Sequence, residues 1–459
     1  MRIHIIACGG AVMHNLTIAL FLAGHQITGS DDEIYNPAKD RLDQYGLLPT
    51  PGWFPEKLTK EIDLVIIGMH AKKDNPEIAK ANELGLKSVS YPEYIAQHAV
   101  NKKRAVVAGS HGKTTTTSMI MHVLKECSVD YDYLVGAPLE GFDLMIRLSD
   151  APLMIIEGDE YLSAPTDPRP KIFHYKPQLT VITGIAWDHI NVFPTFDEYT
   201  GVFKTYLENL PVGAKAFYYD GDRDLNKVVS SVKTLPIECI PYHAYPNSIK
   251  NGTAYLTFNH KEYALEVFGD HNLQNAQAAI NICKELGIDE EAILKALQTF
   301  KGASKRLQAL SIKDDSKIYL DFAHAPSKVK ATVKAIKAQF PGFKLITLLE
   351  LHTFSSLNKN FIPQYAHSLD PADEAVVFFN KHTLEIKGMP DLDPSYIKEQ
   401  FGRQDLHVLT ENDQLISYLD TIHKKNTVVL FMTSGTFNGV NIKEWATTME
   451  EKPRDEPHN

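Results

Sequence analysis

Residues 109–117 read Gly-Ser-His-Gly-Lys-Thr-Thr-Thr-Thr, the composition of a phosphate cradle. The apolar run 105–108 leads into this turn, and a helix-like segment leaves it. Gly109, Ser110, His111 and Gly112 would offer backbone amides, which with the positive end of the following helix favour an anion. Lys113 adds a mobile positive charge, the Thr114 hydroxyl can ligate a magnesium ion carried by the phosphates, and Thr115 lies beside it. The general pattern G-x-x-x-x-G-K-[ST] asks for glycine five places before Gly112, where Val107 stands, so the match is incomplete. Magnesium takes oxygen ligands, usually one or two carboxylates beside the phosphates. Glu157, Asp159 and Glu160 follow the apolar run 152–156, at the carboxyl end of an expected strand where open α/β sheets collect ligands. Gly9-Gly10 is a second turn at which a backbone could approach a diphosphate. Without a full G-x-G-x-x-G, it is equally a plain tight turn.

The elements that must hold these residues alternate in type. Over the first hundred residues, strand-like runs (RIHIIA, QITGSD, DLVIIG, KSVS) alternate with helix-like ones (AVMHNLTIALFLAG, PAKDRLDQYG, NPEIAKANELG), which argues for a parallel sheet covered by helices. The pattern restarts at RAVVAG, runs through APLMIIEGDE and PQLTVITGIAWDHI, and is followed by a hairpin around Asn259-His260-Lys261 and a helix over NLQNAQAAINICKELG. A third α/β unit starts at SKIYLDFAH and ends with NTVVLFMTSG; the polar tail EEKPRDEPHN is expected to fray. The fold class is therefore α/β, with three domains at 1–100, 101–303 and 304–459, each a mostly parallel sheet with flanking helices.

Length agrees, since 459 residues exceed the roughly 250 that one core supports. A formal charge of −10 gives no footprint for nucleic acid, and Lys102-Lys103-Arg104 is too short a basic run to supply one. Four dispersed cysteines have neither metal-ligand spacing nor disulfide density, which fits a reducing cytoplasm. The amino terminus carries His14, Asn15 and Thr17 inside its apolar run, so it reads as strand, turn and helix rather than a signal peptide, and no membrane span is expected.

Taken in order, GSHGKTTT at 109–116, EGDEY at 157–161, DHINVF at 188–193, GDHNLQNAQAA at 269–279, SKRLQ at 304–308 and DFAHAP at 321–326 resemble the Mur ligases, the ATP-dependent amide-bond-forming enzymes of peptidoglycan synthesis. The resemblance covers essentially the whole chain. It implies a central P-loop ATPase-like domain between Rossmann-like first and third domains, with ATP and Mg2+ as cofactors. It also implies that Lys113 holds the β and γ phosphates, that Thr114 and Glu157 ligate one magnesium, and that His189 ligates a second. Asn275 would recognise adenine with His271 and Asn272 nearby, Arg306 would reach the phosphates from the hinge, and Asp321 would hold the ribose with His324 beside it. In the first domain, Gly9-Gly10 would take the diphosphate of UDP-N-acetylmuramate and Ser30-Asp31 its uridine.

EGDEY, RPKIFHYKPQ and DFAHAP are most similar to the family members whose acceptor is the recycled murein peptide L-alanyl-γ-D-glutamyl-meso-diaminopimelate. Members that add L-alanine normally have Ser where Tyr161 stands, and they are the alternative. Some positions depart from both patterns: Ala325 replaces a second histidine, and Lys305 an arginine. His352, in LELHTFSSLNK at 349–359, stands where the peptide-accepting members carry an arginine facing the acceptor. Lys204 falls about one residue from the place of a carbamylated lysine in some Mur ligases and is left unassigned. A catalytically silent nucleotide-sugar-binding regulator is disfavoured because Lys113, Glu157, His189 and Arg306 are all kept. A switch GTPase is disfavoured because no Asn-Lys-x-Asp is present. The resemblance implies a cytoplasmic monomer or weak homodimer.

Overall fold

A computed structural model describes residues 1–187, 192–250, 253–303, 307–313, 315–422 and 425–451. The described residues form three larger sheets and two small ones. The chain divides into two compact units, Met1–Pro246 with Phe258–Tyr263 and Gln274–Phe300, and Asn247–Thr257 with Ala264–Leu273 and Lys301–Asn459.

The first unit contains two of the larger sheets. One has four parallel strands in the order Gln26–Ser30, Arg2–Ile6, Leu64–Ile67, Ser88–Ser90. Ile3, Ile5 and Ile6 are fully buried, as expected of a central parallel strand covered on both faces. Helices Ala11–Leu22, Ala38–Gln44, Pro76–Glu83 and Tyr91–His98 accompany it. Pro76 opens its helix and Asn75 caps it, accepting from the amides of Glu77 and Ile78.

The other sheet has seven strands, ordered Glu238–Tyr242, Lys215–Tyr219, Leu179–Ile182, Lys103–Ala108, Leu153–Glu157, Asp132–Leu134, Ile146–Arg147; only the last pair is antiparallel. The strands Lys103–Ala108, Leu153–Glu157 and Leu179–Ile182 are adjacent and parallel, so their carboxyl ends bring Gly109, Gly158 and Thr183 to one edge. Helix Phe196–Glu208 begins with a capping box between Thr195 and Glu198.

The second unit contains a six-stranded sheet ordered Gln308–Ile312, Ser316–Asp321, Thr427–Met432, Lys344–Glu350, Glu374–Phe378, His407–Leu409, parallel except for its first strand. Ile318, Leu348, Val376, Phe378, Phe431 and Phe437 share one buried cluster with Leu415 and Leu419 of helix Asn412–Thr421. The expected hairpin joins strands Thr253–Phe258 and Lys261–Leu265, with Asn259 and His260 at φ 48° and 61°, the left-handed pair a tight two-residue turn requires. The tail beyond residue 451 lies outside the described residues. No helix among the described residues is long and apolar enough to cross a membrane.

Candidate active site

The strand Lys103–Ala108 ends at Gly109, whose φ of 118° is open to glycine alone, and an added Cβ there would lie 2.8 Å from the Gly184 carbonyl. The Ser110 amide donates to that same carbonyl at 2.8 Å, while the Thr183 hydroxyl bridges the carbonyls of Ala108 and His111. The turn is therefore fixed from the neighbouring strand end. Gly112, at φ 77°, caps helix Lys113–Glu126, and a Cβ there would run into Asn275 Oδ1. The Thr116 hydroxyl donates to the same oxygen at 3.3 Å. No side chain caps this helix, so its first-turn amides are left for an anion at its positive end.

The three acids at the carboxyl end of strand Leu153–Glu157 have separate partners. Glu157 accepts from the Thr114 hydroxyl at 2.8 Å and from the Gly136 amide at 2.9 Å, both neutral donors. Glu160 is fully buried, accepting from the Lys113 ammonium at 2.8 Å and from the Tyr199 hydroxyl at 2.9 Å. Tyr199 is 2.7 Å from the Ser110 hydroxyl, which closes a chain back to the glycine turn. Asp159 accepts from the Lys171 ammonium at 2.5 Å. Burial pulls the Lys113 pKa down, but the charges of Glu160, Asp159 and Glu157 outweigh it and hold the lysine above its ordinary value. Among the described residues no group of three or more His, Cys, Asp or Glu side chains forms a metal cage. The Thr114 hydroxyl and Glu157 carboxylate are instead a hard-oxygen pair of the sort that holds magnesium in company with phosphates.

At the first-domain turn, Gly9 is tied down: its amide donates to Asp31 Oδ2 at 2.7 Å. Ala7 and Cys8 donate to the carbonyl of buried Ser30. Asp31 is itself buried; burial raises its pKa against the lowering effect of the Gly9 bond, and the acid of Asp32 adds to the rise, to about 6. Asp31 and Ser30 thus shape the glycine turn from inside, and helix Ala11–Leu22 starts at Gly10 without a side-chain cap. Buried Glu77 accepts from the Phe54 amide at 2.7 Å and lies 3.2 Å from His4 Nε2, which anchors the segment after the Asp31–Gly52 bridge.

In the second unit, Asp321 is buried, and its carboxylate accepts from the amides of Leu307 at 2.6 Å and Ala323 at 2.7 Å and from the Thr332 hydroxyl at 3.3 Å. Three protein donors therefore occupy the acid expected at the ribose. His324 Nδ1 is 2.8 Å from the Phe322 carbonyl. Burial lowers the His271 pKa, opposed by Asp321 and Asp270. Asn272 donates to the Phe268 carbonyl at 2.8 Å. His352 is 39% exposed, 3.9 Å from Glu350, whose carboxylate accepts from the Phe437 amide and the Thr433 hydroxyl. His189 and Arg306 lie outside the described residues.

Comparison with known proteins gives the family. Three family profiles match in order: Mur ligase family, catalytic domain, over residues 2–103; Mur ligase middle domain, over 107–283; and Mur ligase, glutamate ligase domain, over 305–435. A UDP-N-acetylmuramate–L-alanine ligase from Sulfurihydrogenibium sp. is 30% identical, over 82% of each chain. The chain belongs to the Mur ligase family. As a Mur ligase it is an ATP-dependent amide ligase. It is also similar to the UDP-N-acetylmuramate–L-alanyl-γ-D-glutamyl-meso-2,6-diaminoheptandioate ligase of Haemophilus influenzae, with 27% identity over 96% of this chain and 98% of the relative. The crystal structure of a murein peptide ligase from Psychrobacter arcticus has the same fold, with a TM-score of 0.68 at 23% identity, covering 99% of this chain and all of the other.

Two residues of this Mur ligase have a place at the site that the sequence does not show. Tyr199 sits on helix Phe196–Glu208, which holds no motif, and it reaches Glu160 and Ser110 only through the fold. Lys171 lies in RPKIFHYKPQ, but its pairing with the acidic segment shows only once the backbone folds residues 171–172 onto 159–161. Lys204 is half exposed, 4.0 Å from Glu208, an ordinary helix-surface pair.

Proposed function

We propose that this Mur ligase joins the lactyl carboxylate of UDP-N-acetylmuramate to the amine of L-alanyl-γ-D-glutamyl-meso-diaminopimelate, with ATP and Mg2+, in cytoplasmic peptidoglycan recycling. Residues 1–100 take the UDP-sugar, 101–303 the ATP and 304–459 the acceptor. The carboxylate attacks the γ phosphorus, giving an acyl phosphate and ADP; the peptide amine then adds to the acyl carbon and expels phosphate. The observation that carries this reading is the grouping of Lys113, Thr114 and Glu157 at the uncapped helix start, one cation and two hard oxygens where a triphosphate would lie. Lys113 keeps one N–H on Glu160 and turns its others to the transferring phosphate, whose charge it stabilises, where phosphoryl-transfer enzymes do most of their work. Magnesium bound at Thr114 and Glu157 would supply further neutralisation of the phosphates. Asn275 is fixed against Gly112 and Thr116, which supports the adenine role that the family resemblance implies for it. His189 and Arg306 keep the metal and phosphate roles that the family resemblance implies.

The peptide acceptor is supported by EGDEY with Tyr161 and by the similarity to the Haemophilus enzyme along nearly its full length. L-alanine is the second reading, favoured by the 30% identical relative and by His352 in place of an arginine. Incubation with ATP, magnesium, UDP-N-acetylmuramate and either acceptor, followed by phosphate release and product mass, separates them. Product with the tripeptide is expected; product with alanine alone would overturn the peptide assignment.

A further inference from the structure

Lys171 has no part in the reaction as derived, yet it is among the most constrained cations near the site. Its side chain is 13% exposed, and its ammonium lies 5.6 Å from the ring centre of Tyr91 and 5.7 Å from that of Tyr161. Both rings are within cation–π range. The Lys171 amide donates to the Tyr161 carbonyl at 2.9 Å and the Ile172 amide to the Asp159 carbonyl at 3.2 Å, so the lysine is fastened to the acidic segment by backbone as well as side chain. Its ammonium donates to Asp159 Oδ2, while Lys113 serves Glu160. Glu157 alone has only neutral donors, the Thr114 hydroxyl and the Gly136 amide.

We propose that Lys171 is a positioning residue that neutralises Asp159, so that the acidic segment meets a metal–triphosphate with one uncompensated carboxylate, Glu157. This rests on the ligase reading for the place of the triphosphate. Three acids so close in sequence would otherwise repel ATP; two are silenced, each by its own lysine, and Lys113 still has N–H donors left for the phosphates. Lys171 cannot join it there, being held by two rings and by the backbone.

The test is calorimetric titration of full-length protein with ATP, first without metal and then with rising magnesium. Lys171→Met exposes the charge of Asp159, and is expected to weaken metal-free ATP binding about tenfold while lowering the magnesium needed for half-saturation by a similar factor. Asp159→Asn, which leaves Lys171 uncompensated, is expected to do the opposite and tighten metal-free ATP binding. The double variant Asp159→Asn/Lys171→Met returns both quantities to within about twofold of wild type. A merely structural role gives loss in every variant, with no reversal of sign and no rescue. Unchanged metal-free affinity in Lys171→Met, or a double variant as weak as the single, would overturn the proposal. Wild-type protein that binds ATP but never turns over a nucleotide sugar would overturn the ligase reading and leave this comparison decisive for Lys171.

Discussion

Lys113→Ala should cost stability as well as turnover, and the two losses can be separated. The substitution removes an ammonium 2.8 Å from Glu160, in a pair whose side chains are 14% and 1% exposed. Removing one member of a buried pair costs about 3–5 kcal/mol, because the other charge stays behind. The Tyr199 hydroxyl remains on Glu160, which places the loss near the lower end, about 3 kcal/mol. The folded-state pKa of Lys113 is raised, so its stabilising contribution is fully present below the unfolded value of 10.5 and is lost only as pH climbs past the folded value; at neutral pH the whole effect is visible. Against a total stability of about 5–15 kcal/mol the variant still folds, but its urea midpoint falls. Lys113→Met combined with Glu160→Gln removes both charges at nearly constant volume and should recover most of the stability. Neither variant recovers turnover, which falls at least about a hundredfold for loss of one preorganised charge at the transferring group. Urea unfolding followed by circular dichroism, beside a phosphate-release assay, measures both. The reasoning fails if Lys113→Ala unfolds like wild type, if the double variant is no more stable than the single, or if either keeps turnover within tenfold.

Three further outcomes follow from the same geometry. Gly112→Ala forces a side chain into a left-handed position against Asn275, and a nucleotide titration should show at least about tenfold weaker ATP binding. Asp132 takes bonds from His98, Lys102 and Ser149; burial raises its pKa, but these bonds outweigh it and bring it to about 2. Its stability contribution is present above the unfolded value of 3.8 and lost as pH falls towards 2, so Asp132→Asn should flatten the acid limb of a pH–stability curve. Asp31 has the opposite sign: its folded pKa of about 6 stands above the unfolded 3.8, so its charge costs stability as pH rises through that window. Asp31→Asn, which can keep the Gly9 bond, should be up to about 3 kcal/mol more stable than wild type at pH 8 and gain nothing at pH 3, read by urea unfolding at each pH.

Strand and helix were legible wherever a short apolar run met glycine or a polar helix, which is why RIHIIA, RAVVAG and SKIYLDFAH each fall on a parallel strand. The small hairpin of Leu162–Ala164 with Asp167–Pro170 was not, because three prolines and little apolar alternation give no period-two signal. The antiparallel strand Gln308–Ile312 was equally silent, since only its partner across the sheet sets its direction. At the site, Gly112, Lys113, Thr114 and Glu157 declared themselves by type and spacing. What each acid does could not be read that way: Glu157, Asp159 and Glu160 look alike in a row, and their separation depends on Lys171, Tyr199 and Gly136, each brought in by a different element. Asp31 and Asp321 stand at strand ends as expected of ligand-binding acids, yet both hold their own backbone turns.

The most direct test of the account is to follow the oxygen of the substrate carboxylate. UDP-N-acetylmuramate carrying heavy oxygen in its lactyl carboxylate, incubated with the protein, ATP, magnesium and the tripeptide, should release inorganic phosphate bearing one labelled oxygen for each amide bond formed, since the acyl phosphate must pass its bridging oxygen to phosphate. Amide product accompanied by unlabelled phosphate, or ATP hydrolysis without transfer of label, would contradict carboxylate activation at Lys113.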